Sequence, residues 1–252
     1  AEIKKVYEQR WFKRKPATAS VKAESIPTDE KFSGSSINRL QHISKSVVNT
    51  IGELAYVVDM TPVQRSVFRK SVDQGVWPCR HANVIIDGEL DETLFRQCWQ
   101  ALCSQFDILR SVFGRSKKKY YRFVLPASEV LPEKLIRFVD LEGSPNPLDK
   151  IAEINQTFGF TELILPYQLV IGRYRNSTGV LQTRISWRFS TILIQGMEAL
   201  DLLKKAHVNY RALKTTGQVN SLALNTLPED IEKVNTAAEN STVKKYWKKH
   251  FE

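Results

Sequence analysis

The sequence predicts an α/β fold, a sandwich of sheet and helices, from three observations. Segments with apolar residues three or four apart alternate with short runs rich in β-branched and aromatic residues. Two of those runs flank Asn176-Ser177-Thr178-Gly179, a turn signal that reads as a hairpin. Finally, 42% hydrophobic and 25% charged residues over 252 positions supply a sizeable core, excluding wholesale disorder and a disulfide-dense miniprotein.

In chain order, the stretch to about Ser36 mixes basic residues with Pro16, Pro27, Ser and Thr, and reads as a linker or docking arm. Leu40, Ile43, Val47 and Ile51 then recur at helical spacing and predict an amphipathic helix over 37–51. Thr61 is a predicted N-cap, with Pro62 at the first helical position and Gln64 placed to complete a capping box. Val63, Val67 and Phe68 supply that helix with an expected apolar face. After the Trp77-Pro78 break, 82–86 reads as a strand and Asp87-Gly88 as a turn. A helix follows over 91–104, burying Leu94, Phe95, Cys98 and Leu102. Strands are expected at 120–125 and 136–139, a helix at 148–158 and a hairpin from 167–175 and 180–193. The last strong helix, 196–213, carries Ala199, Leu202, Leu203, Ala206 and Tyr210 along one face. A polar stretch over 215–240 leads to Tyr246-Trp247-Lys248-Lys249, and there is no internal repeat.

Composition narrows the function classes. The apolar stretch 187–197, interrupted by Arg188, is far below the roughly 20 apolar residues of a membrane span, and the charged N-terminus has no signal-peptide core. Cys79, Cys98 and Cys103 offer no zinc spacing, and as an odd number they read as reduced thiols of a cytoplasmic protein. A net charge of +10 suggests nucleic acid, but segments 1–22, 115–122 and 241–252 carry +5, +5 and +3, leaving −3 on the rest. In the second segment Lys117-Lys118-Lys119 with Tyr120, Tyr121 and Arg122 combines phosphate-seeking charge with rings that could stack on bases. A solvated hairpin tip explains the same residues more simply, so nucleic acid is not the expected partner.

The order of several short motifs resembles the N-terminal lobe of nonribosomal peptide synthetase condensation domains, within the chloramphenicol-acetyltransferase-like fold. Thr61-Pro62-Val63-Gln64 is similar to that family's TPLQ start, and Asp87-Gly88-Glu89-Leu90-Asp91 to its G-x-L-D turn. Asp107-Ile108-Leu109-Arg110-Ser111-Val112-Phe113 resembles the end of its RHExLRTxF motif. Asp140-Leu141 resembles its DL, and the 160–166 stretch keeps the spacing of FDLxxGP. The resemblance covers about 53–213, with Tyr246-Trp247 similar to the YW that opens the connection to a second lobe. It implies a basic arm with one helix at 1–52, a condensation-like lobe at 53–213, and a linker at 214–252 toward a lobe beyond Glu252, without which the inter-lobe tunnel cannot form.

In that family an HHxxxDG loop between strand and helix forms the reaction centre, where an amine on one carrier-protein arm attacks a thioester on another. Counting back from Tyr210 puts its Gly at Gly196, so the loop reads Ser190-Thr191-Ile192-Leu193-Ile194-Gln195-Gly196. Both histidines and the Asp are replaced. A different gap would match Arg184-Ile185-Ser186-Trp187 to a fungal-type RISH, with Trp187 at the histidine; no histidine lies between His81 and His207. The resemblance implies an imidazole to manage the amine proton, and neither Thr nor Trp titrates near neutral pH. It also implies an ion pair between the loop Asp and the first Arg of the RHxxLR motif. Here the positions of the loop Asp and of the motif's Arg and His are Gln195, Gln105 and Phe106, with the second Arg kept as Arg110. Losing the charges together reads as coordinated decay, since one unpaired buried charge costs about 3–5 kcal/mol.

His42, His81, His207 and His250 form no triad, and His207 reads as structural. Ser190 and Thr191 lack a paired base and read as a strand end. Arg110 is expected in an ion pair, with a phosphopantetheine phosphate as its alternative ligand, and Trp187 and Trp247 are expected to pack. No catalytic residue, metal or directly bound cofactor is therefore expected. The reading is a catalytically degenerate condensation-like domain of a nonribosomal peptide or hybrid polyketide megasynthase, inactive alone in amide-bond formation and serving to dock. A carrier protein, bearing its own phosphopantetheine, and neighbouring synthase domains are the expected partners. The alternatives are one lobe of an acyltransferase completed by a second lobe, and a basic nucleic-acid-binding module.

Overall fold

The computed structural model describes residues 43–194 and 196–218; the basic arm, Leu40, His42, Gln195, Tyr246, Trp247 and His250 lie outside the described residues. Helix α1 (Lys45–Ile51) is the described part of the first predicted helix, and Ile43 and Val47 enter the main core beside it. Strand β1 (Tyr56–Asp59) follows, then α2 (Pro62–Gln74). The Gln64 N–H donates to the Thr61 hydroxyl at 3.2 Å, and the Thr61 N–H donates to the Gln64 side-chain oxygen at 3.1 Å, forming the predicted capping box. Val63, expected inward, is 61% exposed. The helix is instead turned so that Phe68 and Ser71 are buried, and Gln64 Nε2 donates to the Ile192 carbonyl at 3.4 Å. Replacing Thr61 with alanine leaves the Gln64 N–H without its cap and is expected to cost about 1 kcal/mol, read as a lower urea midpoint at unchanged slope.

Strand β2 (Cys79–Asp87) ends at Gly88, whose φ of 98° is open to glycine at little cost. Asp91 caps α3 (Glu92–Gln105) through the Leu94 N–H at 2.9 Å. A 3-10 turn, Asp107–Arg110, leads into β3 (Ser111–Ser116), which pairs with β4 (Lys119–Val124) across a tight turn at Lys117 and Lys118 with φ of 46° and 69°. Helix α4 (Pro132–Leu135), β5 (Ile136–Asp140), α5 (Pro147–Gln156), β6 (Tyr167–Arg175), β7 (Leu181–Ser190) and α6 (Gly196–Thr216) complete the order. Strands β1 and β3 go beyond those the sequence predicts, and α5 stops two residues before its expected end.

The described residues form two sheets: a three-stranded one ordered β1-β4-β3 and a four-stranded one ordered β2-β7-β6-β5. All pairs are antiparallel except β5 with β6, where α5 makes the crossover that parallel pairing requires. The alternation of β7 sends Ile185, Trp187 and Phe189 to the face shared with α3 and α6, where Trp187 meets Trp99 with ring centroids 5.3 Å apart. Ser186 points the other way, accepting from Asn155 Nδ2 of α5 at 2.8 Å and donating to Asn83 Oδ1 at 2.7 Å. Among the described residues no helix is long and apolar enough to cross a membrane.

Candidate functional site

The β7–α6 junction holds the loop singled out in the sequence. Ser190 is the last residue of β7, and Gly196 the first of α6. The strand ends three residues earlier than expected because its backbone partners change. The Ser190 N–H donates to the Pro166 carbonyl at 2.9 Å, the Thr191 N–H to Pro78 at 3.0 Å, and the Leu193 N–H back to Ser190 at 3.0 Å. These bonds turn the chain off the sheet and fix the loop. The Ser190 side chain is fully buried and its hydroxyl accepts from the Ile192 N–H at 3.4 Å. Thr191 is half-buried, and Ile192, Leu193 and Ile194 are buried in the core.

His81 sits on β2 opposite Arg188, and burial, then Arg188 and Arg184, lower its pKa. His207 lies on α6, its pKa lowered by burial and then by Arg211. Cys79 faces Ser190 across the strands, but burial raises its thiol pKa and its Sγ contacts the Trp77 carbonyl at 3.0 Å. Cys103 and Cys98 are pushed up to about 12 by burial. Among the described residues no His, Cys, Asp and Glu cluster could hold a metal. Trp187 is wholly enclosed by Trp99, Tyr167 and Phe189, so the alternative gap placement puts an inaccessible ring at the histidine position.

Arg110 is engaged in the fold. Its Nη1 donates to the Leu125 carbonyl at 2.7 Å and its Nη2 pairs with Asp107. The other Asp107 carboxylate oxygen accepts the Tyr56 hydroxyl proton. Arg122 joins electrostatically from β4: burial lowers its pKa to about 10 against the opposing pull of Asp107. Burial raises the Asp107 pKa in turn, outweighing both arginines. Phe106 is buried, and Lys205 of α6 sits 4.6 Å from its ring centroid. The sequence reading missed Asp107, Arg122 and Tyr56 as a unit. Its signals were an Asp three residues before Arg110, and an Arg flanked by Tyr121 and Phe123 in a strand.

The basic segment divides. Lys117, Lys118 and Lys119 are exposed at the hairpin tip, as predicted. The combination of charge with stacking rings is not assembled: Tyr121 and Arg122 are buried, and Tyr120 packs on Phe68 with centroids 5.7 Å apart.

No family model and no curated protein matches this sequence. Solved structures do. The first condensation domain of the calcium-dependent antibiotic synthetase, in complex with a substrate analogue, superposes with a TM-score of 0.65 at 16% identity, covering 77% of this chain and 47% of that one. The starter condensation domain of rhizomide synthetase gives 0.62 at 12% identity, covering 77% and 47%. Holo T3CT gives 0.55 at 15% identity, covering 85% and 46%. The chain thus has a condensation-domain fold over about half the length of these proteins, consistent with the N-terminal lobe.

Proposed function

We propose that this chain is a condensation-like lobe, spanning about 53–213, of a nonribosomal peptide or hybrid polyketide megasynthase, and that it docks partner domains without forming amide bonds. The β7–α6 junction carries the reading. Where the resemblance requires two imidazoles there is a buried Ser190 hydroxyl and a Thr191 tied by its backbone to Pro78, backed by buried Ile192, Leu193 and Ile194. Neither hydroxyl can take up a proton near neutral pH, and His81, two register positions from Ser190 on the neighbouring strand, stands opposite Arg188 rather than in the loop.

The docking surface in this reading is the Lys117–Lys118–Lys119 tip, three exposed cations on a tight turn that suits an acidic carrier protein. The phosphopantetheine arm belongs to that partner, since Arg110 is committed to Asp107 and Leu125. A second reading, favoured by the half-length match, is one lobe of an acyltransferase that a second lobe completes.

Titrating the chain against the carrier and adenylation domains of its own producer separates the two. Wild type is expected to bind a carrier domain. Reversing Lys117, Lys118 and Lys119 to Glu should weaken that binding at least tenfold, with a loss of salt dependence. No binding by wild type, or condensation abolished by Thr191→Ala, would sink the docking reading.

A further inference from the structure

At the opposite end of α6 from the loop lies a cavity of about 180 Å³. Val84, Ile86 and Ile185 form its sheet wall, Phe95 lines it from α3, and Leu203 and Ala206 from α6. Leu203 is seven residues along α6 from Gly196, about 10 Å at 1.5 Å per residue, and the lining runs on to Thr215, so the cavity is separate from the β7–α6 junction. Of its polar lining residues Glu89, Arg211, Lys214 and Thr215 are exposed and form its rim, His207 is half-buried, and the buried Tyr210 hydroxyl accepts the Asp91 N–H at 2.9 Å.

The rim charges do not cancel locally. Glu89 is paired at 2.5 Å with Arg173, which also binds Asp140. Arg211 and Lys214 are exposed and have no ion pair among the described residues. An apolar wall, open on one side, beside two uncommitted cations selects an amphiphile with a compact apolar body and one negative end. The volume sets the body: a cavity of about 150 Å³ lined by aliphatic and aromatic side chains takes a benzene ring.

We infer that the cavity between α6, α3 and the β2–β7 sheet is a binding site for a small monocarboxylate with a benzene-sized apolar body, its carboxylate held by Arg211 and Lys214. The apolar body sits against Val84, Ile86 and Ile185, and Ala206 sets the depth available to it. This site is independent of the docking reading, and its failure would leave that reading untouched.

The test titrates the full chain with 3-phenylpropionate, and with uncharged 3-phenylpropanol, while following methyl resonances of Val84, Ile86, Ile185 and Leu203. Saturable shifts at these methyls are expected, with the acid bound more tightly than the alcohol. Arg211→Glu combined with Lys214→Glu, both at exposed positions, should weaken the acid at least tenfold and leave the alcohol nearly unchanged. Ala206→Trp, checked for folding by circular dichroism, should remove binding of both. Absence of shifts at these methyls, shifts confined to another region, equal affinity for acid and alcohol, or indifference to the charge reversal would each overturn the assignment. So would occupancy by residues 219–252, seen as binding that appears only when they are removed.

Discussion

Trp187→Ala is expected to lower the stability of the fold by about 3–5 kcal/mol, a large share of the 5–15 kcal/mol available to a domain. Trp187 has no exposed surface and stands at the centre of the aromatic cluster, with Trp99 edge-on at 83°, Tyr167 edge-on at 81° and Phe189 tilted at 5.1 Å. These partners come from α3, β6 and β7, so the cavity left by alanine would be walled by three elements that cannot all close on it. Urea unfolding followed by circular dichroism reads the loss. A cost under about 1 kcal/mol would show that the cluster repacks freely, contrary to the crowding seen around Trp187. Trp187→His, which recreates the fungal-type RISH in sequence, should destabilise as well and yield no condensation activity, because the ring faces the core and not the junction.

Asp107→Ala carries a comparable expected cost, about 3–5 kcal/mol, through charge. Asp107 and Arg110 expose only 14% and 13% of their side chains, and Arg122 is 6% exposed. Removing the carboxylate leaves two buried guanidinium groups without their anion and the Tyr56 hydroxyl without its acceptor. In Asp107→Ala/Arg122→Met one of those stranded charges is gone, so the double variant should be more stable than the sum of the single effects, with a coupling of about 0.5–3 kcal/mol. Strict additivity would remove the network. The pH response has a definite sign. Folding raises the Asp107 pKa, so the folded chain keeps this proton after the unfolded chain has lost it. Stability contributed by the group is therefore full below the ordinary carboxylate range and falls as pH rises through that range to the raised value. Arg122, lowered to about 10, restores stability as pH climbs above that value. Both directions say that burial of the charged pair costs more than its attraction returns. Asp107→Asn should flatten the acid-side dependence.

Legibility in the sequence followed how local the cause was. The Thr61–Gln64 box and the turn at 176–179 involve partners within four residues, and each stands where the pattern put it. The buried face of α6 was equally plain, because Ala199, Leu202, Leu203, Ala206 and Tyr210 repeat the helical period against one layer. Strand β1 has only four residues, and β3 contains Gly114, so neither shows a clear alternation; both exist because β4 pairs with them on either side. Val63 was misplaced because a stripe of three apolar residues fixes a face less firmly than the side-chain bond of Gln64 to Ile192. Counting from Tyr210 put Gly196 at the loop, where α6 begins, whereas the strand before it was read to 193 and ends at Ser190. The Tyr56–Asp107 contact, 51 residues apart, had no local signature, and the cavity depends on how α6 meets the β2 layer.

The register of β2 on β7 also shapes how the chain reaches this structure. The β6–β7 hairpin closes over a few residues at Asn176–Val180, whereas Ala82 finds Trp187 only across a separation of about a hundred residues. Loop-closure entropy grows with the logarithm of length, and distant pairings come with slow folding. The hairpin can therefore form locally, while β2 is added by a long-range search and occupies a sheet edge when it arrives. Until it docks, the β7 edge that β2 covers stands open with unpaired backbone groups, next to the Trp187 side of the sheet. Nascent chains of this protein thus face their greatest exposure to strand-mediated association in the interval before β2 is captured.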